Sequence, residues 1–297
     1  MKPSALLAIS FLAGGLALGC DKSLKSVELV VEPRVLGARV EVAGDAARAA
    51  PAPGESATVS FLVAAPELMP SLGFALAACS AAPRQGGRSG CAAAPLAHVS
   101  SDDGQAAVAS LSFDVPADLD PSGRITVLGI VCPDGSPSAD GSSCDGADPG
   151  TPVTLEVELS RPGDVNSNPE LPPDSLGFDG DVWAELPLVD GDCTALGFPA
   201  VAPRSKHSIT VELQESDRDR LPRPTALDPS RESLQLSHFA TAGDLTRAFE
   251  MIAWDSDQLS RQVSWSAPKE PGLVRFWLVL RDFRGGSAFV ERAVCVQ

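Results

Sequence analysis

Seven cysteines are the residues of this chain best placed to do chemistry. No CxxC or HxxxH spacing occurs, which argues against zinc. Six of the cysteines form an even set containing two pairs with the same spacing of twelve residues, and turn-forming Gly, Ser and Pro lie within each pair. Six cysteines allow about 15 pairings, and a swap between the two short loops is the main alternative. The spacing predicts three disulfides: Cys79–Cys91, Cys132–Cys144 and Cys193–Cys295.

The seventh cysteine, Cys20, follows an apolar run over residues 5–18. That run is shorter than the roughly 20 residues of a membrane-spanning helix, but it suits a secretory signal. Residues 17–20, Ala-Leu-Gly-Cys, resemble the lipobox of bacterial lipoproteins, in which the cysteine receives a diacylglycerol and becomes the new N-terminus. The resemblance implies a signal peptide over 1–19 and a lipidated tether over 20–26. An ordinary signal peptide with an incidental cysteine is the alternative.

Four oxygen-bearing side chains alternate in one proline-rich segment, at Asp164, Asn166, Asn168 and Glu170. Carboxylate and amide oxygens are ligands that calcium accepts. The segment partly resembles the calcium-binding linker between cadherin domains, although Ser167 stands where that pattern has a second aspartate. These residues are therefore weak calcium candidates. The alternative is a solvated turn, because Asn and Asp readily bond their own backbone.

Catalytic patterns are scarce in this sequence. It has no GxSxG, HExxH or phosphate-binding loop, and its carboxylates are scattered rather than paired. The three histidines are His98 in a predicted loop, His207 at the start of a strand and His238 inside a strand. A single histidine in a strand is more often structural than a general base. The sequence therefore predicts no enzyme and no cofactor.

The composition sets the class of protein and excludes some partners. A chain of 297 residues with 44% hydrophobic residues can bury two domain cores. Its net charge of −16 repels phosphate, which argues against nucleic-acid binding and against charge-driven docking on anionic lipid.

Alternating apolar and polar residues recur along the chain and predict antiparallel strands. Residues 151–160 alternate most regularly, and residues 27–31 begin the pattern. Alternation stops over 161–175, which contains four prolines and is predicted to be a linker. The pattern predicts an all-β protein with two antiparallel Ig-like β-sandwiches, over 27–160 and 176–297. One exception is the helical spacing of Leu245, Phe249 and Ile252, for which we expect a loop with at most a short helix over residues 241–254, inserted between strands.

The C-terminal part also resembles a known family. Residues 166–297 resemble bacterial Ig-like repeats of the PKD or cadherin-like kind, which implies a sandwich fold without a specific function. Trp265 and Trp277 lie in predicted strands and are expected in the core. An exposed aromatic platform for glycan, to which Trp254 could contribute, is the alternative. The matching residues are Trp265, Ala267, Pro268, Gly272, Asp282, Gly285 and Gly286.

Together these features predict a membrane-anchored lipoprotein of the bacterial cell envelope. We expect a structural or protein-interaction module without intrinsic catalysis, held on the lipid bilayer by acylated Cys20. The alternative is a glycan- or ligand-binding accessory subunit of an envelope complex. Expected partners are the bilayer and an envelope protein or glycan, with no nucleic acid.

Overall fold

The computed structural model describes residues 26–68, 72–84, 89–104, 108–133, 135–146, 149–188, 193–218 and 231–297. The predicted signal peptide (1–19), Cys20 and the tether before residue 26 lie outside these ranges. Within them the chain is strand and turn, with two short 3-10 turns at Pro173–Ser175 and Glu215–Asp217. The predicted all-β sandwich fold is confirmed.

The described residues of the first half form seven strands in two antiparallel sheets. The sheets have the orders β1-β2-β5 and β4-β3-β6-β7. Between them lies an apolar core that includes Phe61, Leu76, Leu111 and Ile125. The strands are β1 (Arg34–Val42), β2 (Ser56–Ala64), β3 (Leu72–Ser80), β4 (Ala97–Gly104), β5 (Val108–Asp114), β6 (Arg124–Cys132) and β7 (Thr151–Glu158).

In the part of the second half that the structure describes there are ten strands, in the sheet orders β10-β17-β16-β12-β14 and β13-β15-β11-β8-β9. All pairs are antiparallel except β10 with β17. Trp183, Trp265 and Phe276 lie in the core between the sheets. The strands are β8 (Leu176–Phe178), β9 (Asp181–Val182), β10 (Ala200–Val201), β11 (Lys206–Glu212), β12 (Leu234–Ala240), β13 (Asp244–Leu245), β14 (Phe249–Ile252), β15 (Ser260–Ser266), β16 (Gly272–Arg281) and β17 (Ser287–Val296).

The two sandwiches pack against each other through the outer faces of two sheets. Alternation along β16 sends Phe276 into the second core and Trp277 to the opposite face. Alternation along β2 likewise sends Phe61 into the first core and Leu62 outward. Trp277 and Leu62 belong to one apolar cluster together with Leu36. Trp277 was expected in a sandwich core, but it is buried between the sandwiches.

The segment over residues 27–31 was predicted to begin the first sandwich, and this was wrong. The Val30 amide donates to the Ala240 carbonyl at 2.8 Å, and the Ala240 amide donates to the Glu28 carbonyl at 2.9 Å. Val30 is fully buried in the cluster around Trp277, whereas Val27 and Val31 are exposed. Because Val30 is buried in the cluster around Trp277, this stretch bonds to strand β12 of the second half instead of beginning the first sandwich.

The segment 241–254, expected to be a loop with at most a short helix, instead contains two short strands. Gly243 has φ +84°, a turn conformation that side chains rarely adopt, and it leads into β13. Strand β14 then pairs with β12. Leu245 and Ile252 are buried while Phe249 is 55% exposed, so the three residues do not share one face. In this segment, backbone pairing with the neighbouring strands stabilises the chain more than a helix with three apolar residues on one side would.

Candidate functional site

Three disulfides join the cysteine pairs that the spacing predicts. Their Cα–Cα distances are 5.4 Å for Cys79–Cys91, 5.6 Å for Cys132–Cys144 and 5.5 Å for Cys193–Cys295, all within the usual range. Disulfides persist in oxidising compartments, so this is an extracytoplasmic protein. Within the described ranges, no helix combines the length and apolar character needed to cross a membrane.

Three of the four calcium candidates, Asp164, Asn166 and Asn168, bond other groups of the protein. The Asp164 carboxylate forms an ion pair with Arg284, so a guanidinium occupies the position facing this acid. The Asn166 side-chain amide donates to the Asp282 carboxylate at 2.9 Å. Glu170 is exposed. The cation facing Asp164 is thus supplied by the protein itself.

Asn168 connects the two sandwiches directly. Its side-chain amide donates to the Val40 carbonyl on β1 at 2.7 Å, and its side-chain oxygen accepts the Ser287 amide of β17 at 3.0 Å. Arg39 adds a hydrogen bond to the Ser287 carbonyl at 2.8 Å. Asn166 and Asn168 are both buried. The segment 161–175 was expected to be a solvated linker. Its middle part is instead packed between the sandwiches, because Asn168 bonds both of them, whereas residues 161–163 and Val165 stay exposed.

On the second half's side of this interface, the buried carboxylate of Asp282 holds the turn between β16 and β17. Asp282 accepts the backbone amides of Arg284 at 2.7 Å and Gly286 at 2.9 Å. Burial raises the pKa of Asp282 above its ordinary value, and these hydrogen bonds together with that of Asn166 oppose the shift. The turn between β16 and β17 is thereby held against the asparagine segment.

A second bridge is the Arg275 side chain. Its guanidinium donates to the carbonyls of Ala65 at 3.0 Å and Glu67 at 2.8 Å, both in the first half. It lies 4.8 Å from the centroid of the Trp277 ring and pairs with Glu291. Burial raises the pKa of Glu291, and Arg275 opposes that shift. Polar and apolar contacts therefore fix the same interface.

The three histidines differ sharply in environment. His98 is exposed on β4. His238 is buried on β12, and desolvation by burial, aided by the charge of Arg247, lowers its pKa to about 4. His207 is mostly buried at the start of β11, where it meets two polar side chains. Of the three, His207 alone lies in a hydrogen-bonded chain with another protonatable group.

That chain consists of Asp179, His207 and Ser205. His207 Nδ1 lies 2.6 Å from Asp179 Oδ2, and His207 Nε2 lies 2.5 Å from Ser205 Oγ. The Ser208 amide donates to the other Asp179 oxygen at 2.8 Å. Partial burial opposes ionisation of Asp179, but the bonds from His207 and Ser208 outweigh it, so the pKa of Asp179 lies below its ordinary value. An aspartate that orients a histidine, together with a histidine that contacts a serine hydroxyl, can activate that hydroxyl as a nucleophile.

The imidazole of His207 is held by aromatic contacts. Its centroid lies 5.2 Å from that of Phe178 in a stacked arrangement and 5.8 Å from that of Trp265. Asp179 follows Phe178 in the turn before β9 and has φ +53°. Sequence reasoning singled out His207 but missed both partners. The sequence shows that Ser205 lies two residues before His207. Asp179 is distant in sequence and lies beside His207 only because strands β8 and β11 pair.

The tryptophans do not form an exposed platform. Trp183, Trp265 and Trp277 are almost completely buried, and Trp254 is 44% exposed. The chain has four tryptophans, all within the described ranges, so a glycan surface of adjacent tryptophans does not occur.

Strand β14 instead presents apolar side chains at a sheet edge. Phe249 is 55% exposed and Met251 is 46% exposed, and alternation places both on the outward face. Strand β14 ends its sheet among the described residues, and an open groove of about 560 Å³ separates it from β15. Arg247 and Arg261 also line this groove. We call Arg247, Phe249, Met251 and Arg261 the β14 surface.

Comparisons with known proteins give only distant similarities to solved structures. No protein-family model and no curated relative matches the chain. Among solved structures, Escherichia coli alpha-2-macroglobulin activated by porcine elastase is 11% identical, with a TM-score of 0.24, and the match covers 89% of this chain and 22% of that one. Red sea bream transglutaminase is 11% identical, with a TM-score of 0.25, covering 89% and 31%.

The Yersinia pseudotuberculosis adhesin InvE is also 11% identical, with a TM-score of 0.22, covering 88% of this chain and 58% of that one. This chain spans less than two thirds of each of these three structures. At such TM-scores the similarities carry no argument about function.

Proposed function

We propose that this protein is a lipid-anchored envelope module that binds another protein through its β14 surface. The observation that carries the proposal is the pair of exposed apolar side chains on the strand that ends its sheet among the described residues. An unpaired edge offers backbone donors and acceptors to an incoming strand, and alternate side chains beside it can provide specificity.

The charges of the β14 surface support a particular kind of partner. The chain as a whole carries a net charge of −16, yet this groove is lined by two arginines against one acidic residue, Glu250. Arg247 pairs with Glu250 at 2.7 Å, and Arg261 donates to the Met251 carbonyl at 3.3 Å. An extended partner segment with apolar and acidic side chains would complement this surface.

The interface between the sandwiches gives such a module a defined shape. Asn168 and Arg275 each bond backbone groups across the interface, and Trp277 is buried there. A partner bound at β14 would therefore be held at a fixed position relative to the first sandwich. The proposed anchor at Cys20 would retain the whole unit at a membrane, since a diacyl group plus an amide-linked chain meets the need for more than one acyl chain.

The proposal is tested by chemical crosslinking in the native envelope. The variant combines Phe249→Ser and Met251→Ser, and the control is Val182→Ser, which removes an exposed apolar side chain from edge strand β9 on the opposite sheet. We expect a discrete crosslinked product for the wild type and the control, but not for the double variant. A product that persists in the double variant would contradict the proposed surface.

A further inference from the structure

We propose that Ser205, His207 and Asp179 form a nucleophilic serine site that hydrolyses small esters. The observation is the continuous contact from Asp179 through His207 to Ser205, at 2.6 Å and 2.5 Å. A nucleophile, a base within hydrogen-bond reach and a third group that orients the base are the parts such a site requires. This activity is separate from the proposed binding at β14.

Local structure brings the serine and the histidine together. The Ser205 amide donates to the Ala202 carbonyl at 3.2 Å, which closes a turn in which Arg204 has φ +61°. Strand β11 begins directly afterwards. Ser205 and His207 are two residues apart in extended chain, so their side chains point to the same side. The Ser205 hydroxyl thereby reaches His207 Nε2.

The orientation of the imidazole follows from its other contacts. Asp179 accepts hydrogen bonds from the Ser208 amide and from His207 Nδ1. With the proton on Nδ1, the lone pair of Nε2 faces Ser205. The Ser205 hydroxyl also donates to the Ala202 carbonyl, so its hydrogen must turn toward Nε2 before the base can take the proton. Stacking on Phe178 keeps the ring in this plane. The base is therefore oriented before any substrate binds.

The surroundings of Ser205 indicate the substrate class. Ser205 is half-buried, and its sequence neighbours Arg204 and Lys206 are exposed cations. A positive charge beside an attacked carbonyl favours the oxyanion that forms there. Ser205 lies in a surface turn, where a small ester can reach its hydroxyl.

The reaction proceeds in two balanced steps. Ser205 Oγ bonds to the ester carbonyl carbon while its proton moves to His207 Nε2, and the bond to the leaving oxygen then breaks as that oxygen takes the proton. A water molecule next attacks the carbonyl carbon of the acyl-serine and gives a proton to Nε2. The bond between that carbon and Ser205 Oγ then breaks as Oγ takes the proton from Nε2, and the acid leaves. The net change converts an ester and water into an acid and an alcohol, without an oxidant or a cofactor.

The first test needs no variant. The full chain is purified in detergent and treated with a biotinylated fluorophosphonate, and the modified peptide is identified by mass spectrometry. We expect the label on Ser205 and its suppression by excess 4-nitrophenyl acetate. A label that is absent from Ser205, or distributed equally over surface serines, would overturn the proposal.

The second test measures 4-nitrophenyl acetate hydrolysis. Ser205→Ala and His207→Gln should each lower the rate about 100-fold, the lower range for loss of acid–base assistance. Asp179→Asn should lower kcat with little change in KM, as expected of a positioning residue. Ser260→Ala, which alters an exposed serine on β15, is the control and should leave the rate unchanged. Equal rates for Ser205→Ala and this control would also refute the proposal.

Discussion

Replacement of Trp277 by alanine should uncouple the two sandwiches. Trp277 is fully buried, yet it lies in the cluster between the sandwiches rather than in either core. Its ring also stacks with Arg275, which bonds two carbonyls of the first half. Removing the indole therefore weakens the apolar and the polar contacts of one interface together.

The size of the effect follows from the burial of the side chain. Replacing a buried tryptophan by alanine costs about 3–5 kcal/mol. In the core of one sandwich, this substitution would lower the stability of that sandwich. At the interface, it lowers the free energy that couples the two sandwiches. We expect the wild type to unfold in one calorimetric transition and Trp277→Ala to unfold in two.

The matched control is Trp265→Ala. Trp265 is also fully buried, but it lies in the core of the second sandwich. This control should lower the unfolding temperature without separating the transitions of the two halves. A single transition in Trp277→Ala, shifted as in the control, would refute the assignment of Trp277 to a coupling interface.

Other predictions concern the crosslinks, a buried histidine and the anchor. Replacing both Cys193 and Cys295 by alanine opens a loop with a sequence separation of 102 residues. The loss of this loop constraint should lower the free energy of unfolding, measured with urea, by up to about 4.7 kcal/mol. A smaller loss than that from opening either short disulfide loop would contradict this. His238 has a folded pKa of about 4 against an ordinary 6.5, so the unfolded chain takes up the proton first as pH falls. Stability should drop by about 1.4 kcal/mol per pH unit between these values, and an unchanged slope in His238→Leu would exclude His238 as the cause. Cys20→Ala should abolish incorporation of labelled fatty acid and detergent-phase partitioning; unchanged labelling would exclude lipidation at Cys20.

Strands with strong alternation could be found from sequence, because burial of one face leaves a period of two. Residues 151–160 illustrate this, and strand β7 forms there. The disulfide pairs were also predictable, since short turn-rich loops close easily. The pattern failed over 27–31, where one buried valine at an interface decided the structure. The resemblance to PKD or cadherin-like repeats stays a prediction.

Functional features that depend on three-dimensional contacts were less accessible. Residues 161–175 looked like a solvated linker because Asn and Pro favour turns, yet Asn168 bonds a strand of each sandwich. Asp179 reaches His207 only because β8 and β11 are neighbours in one sheet. Exposure of Phe249 became visible only when its segment formed an edge strand instead of a helix.

The most direct test of the proposed function is photocrosslinking from within the β14 surface. A benzophenone amino acid is placed at Met251 in the full chain, and the control position is Val182, on an edge strand of the opposite sheet. Irradiation in the native envelope should give a discrete adduct from position 251 that disappears when Phe249→Ser is added. The same adduct from both positions, or none from position 251, would contradict binding at the β14 surface.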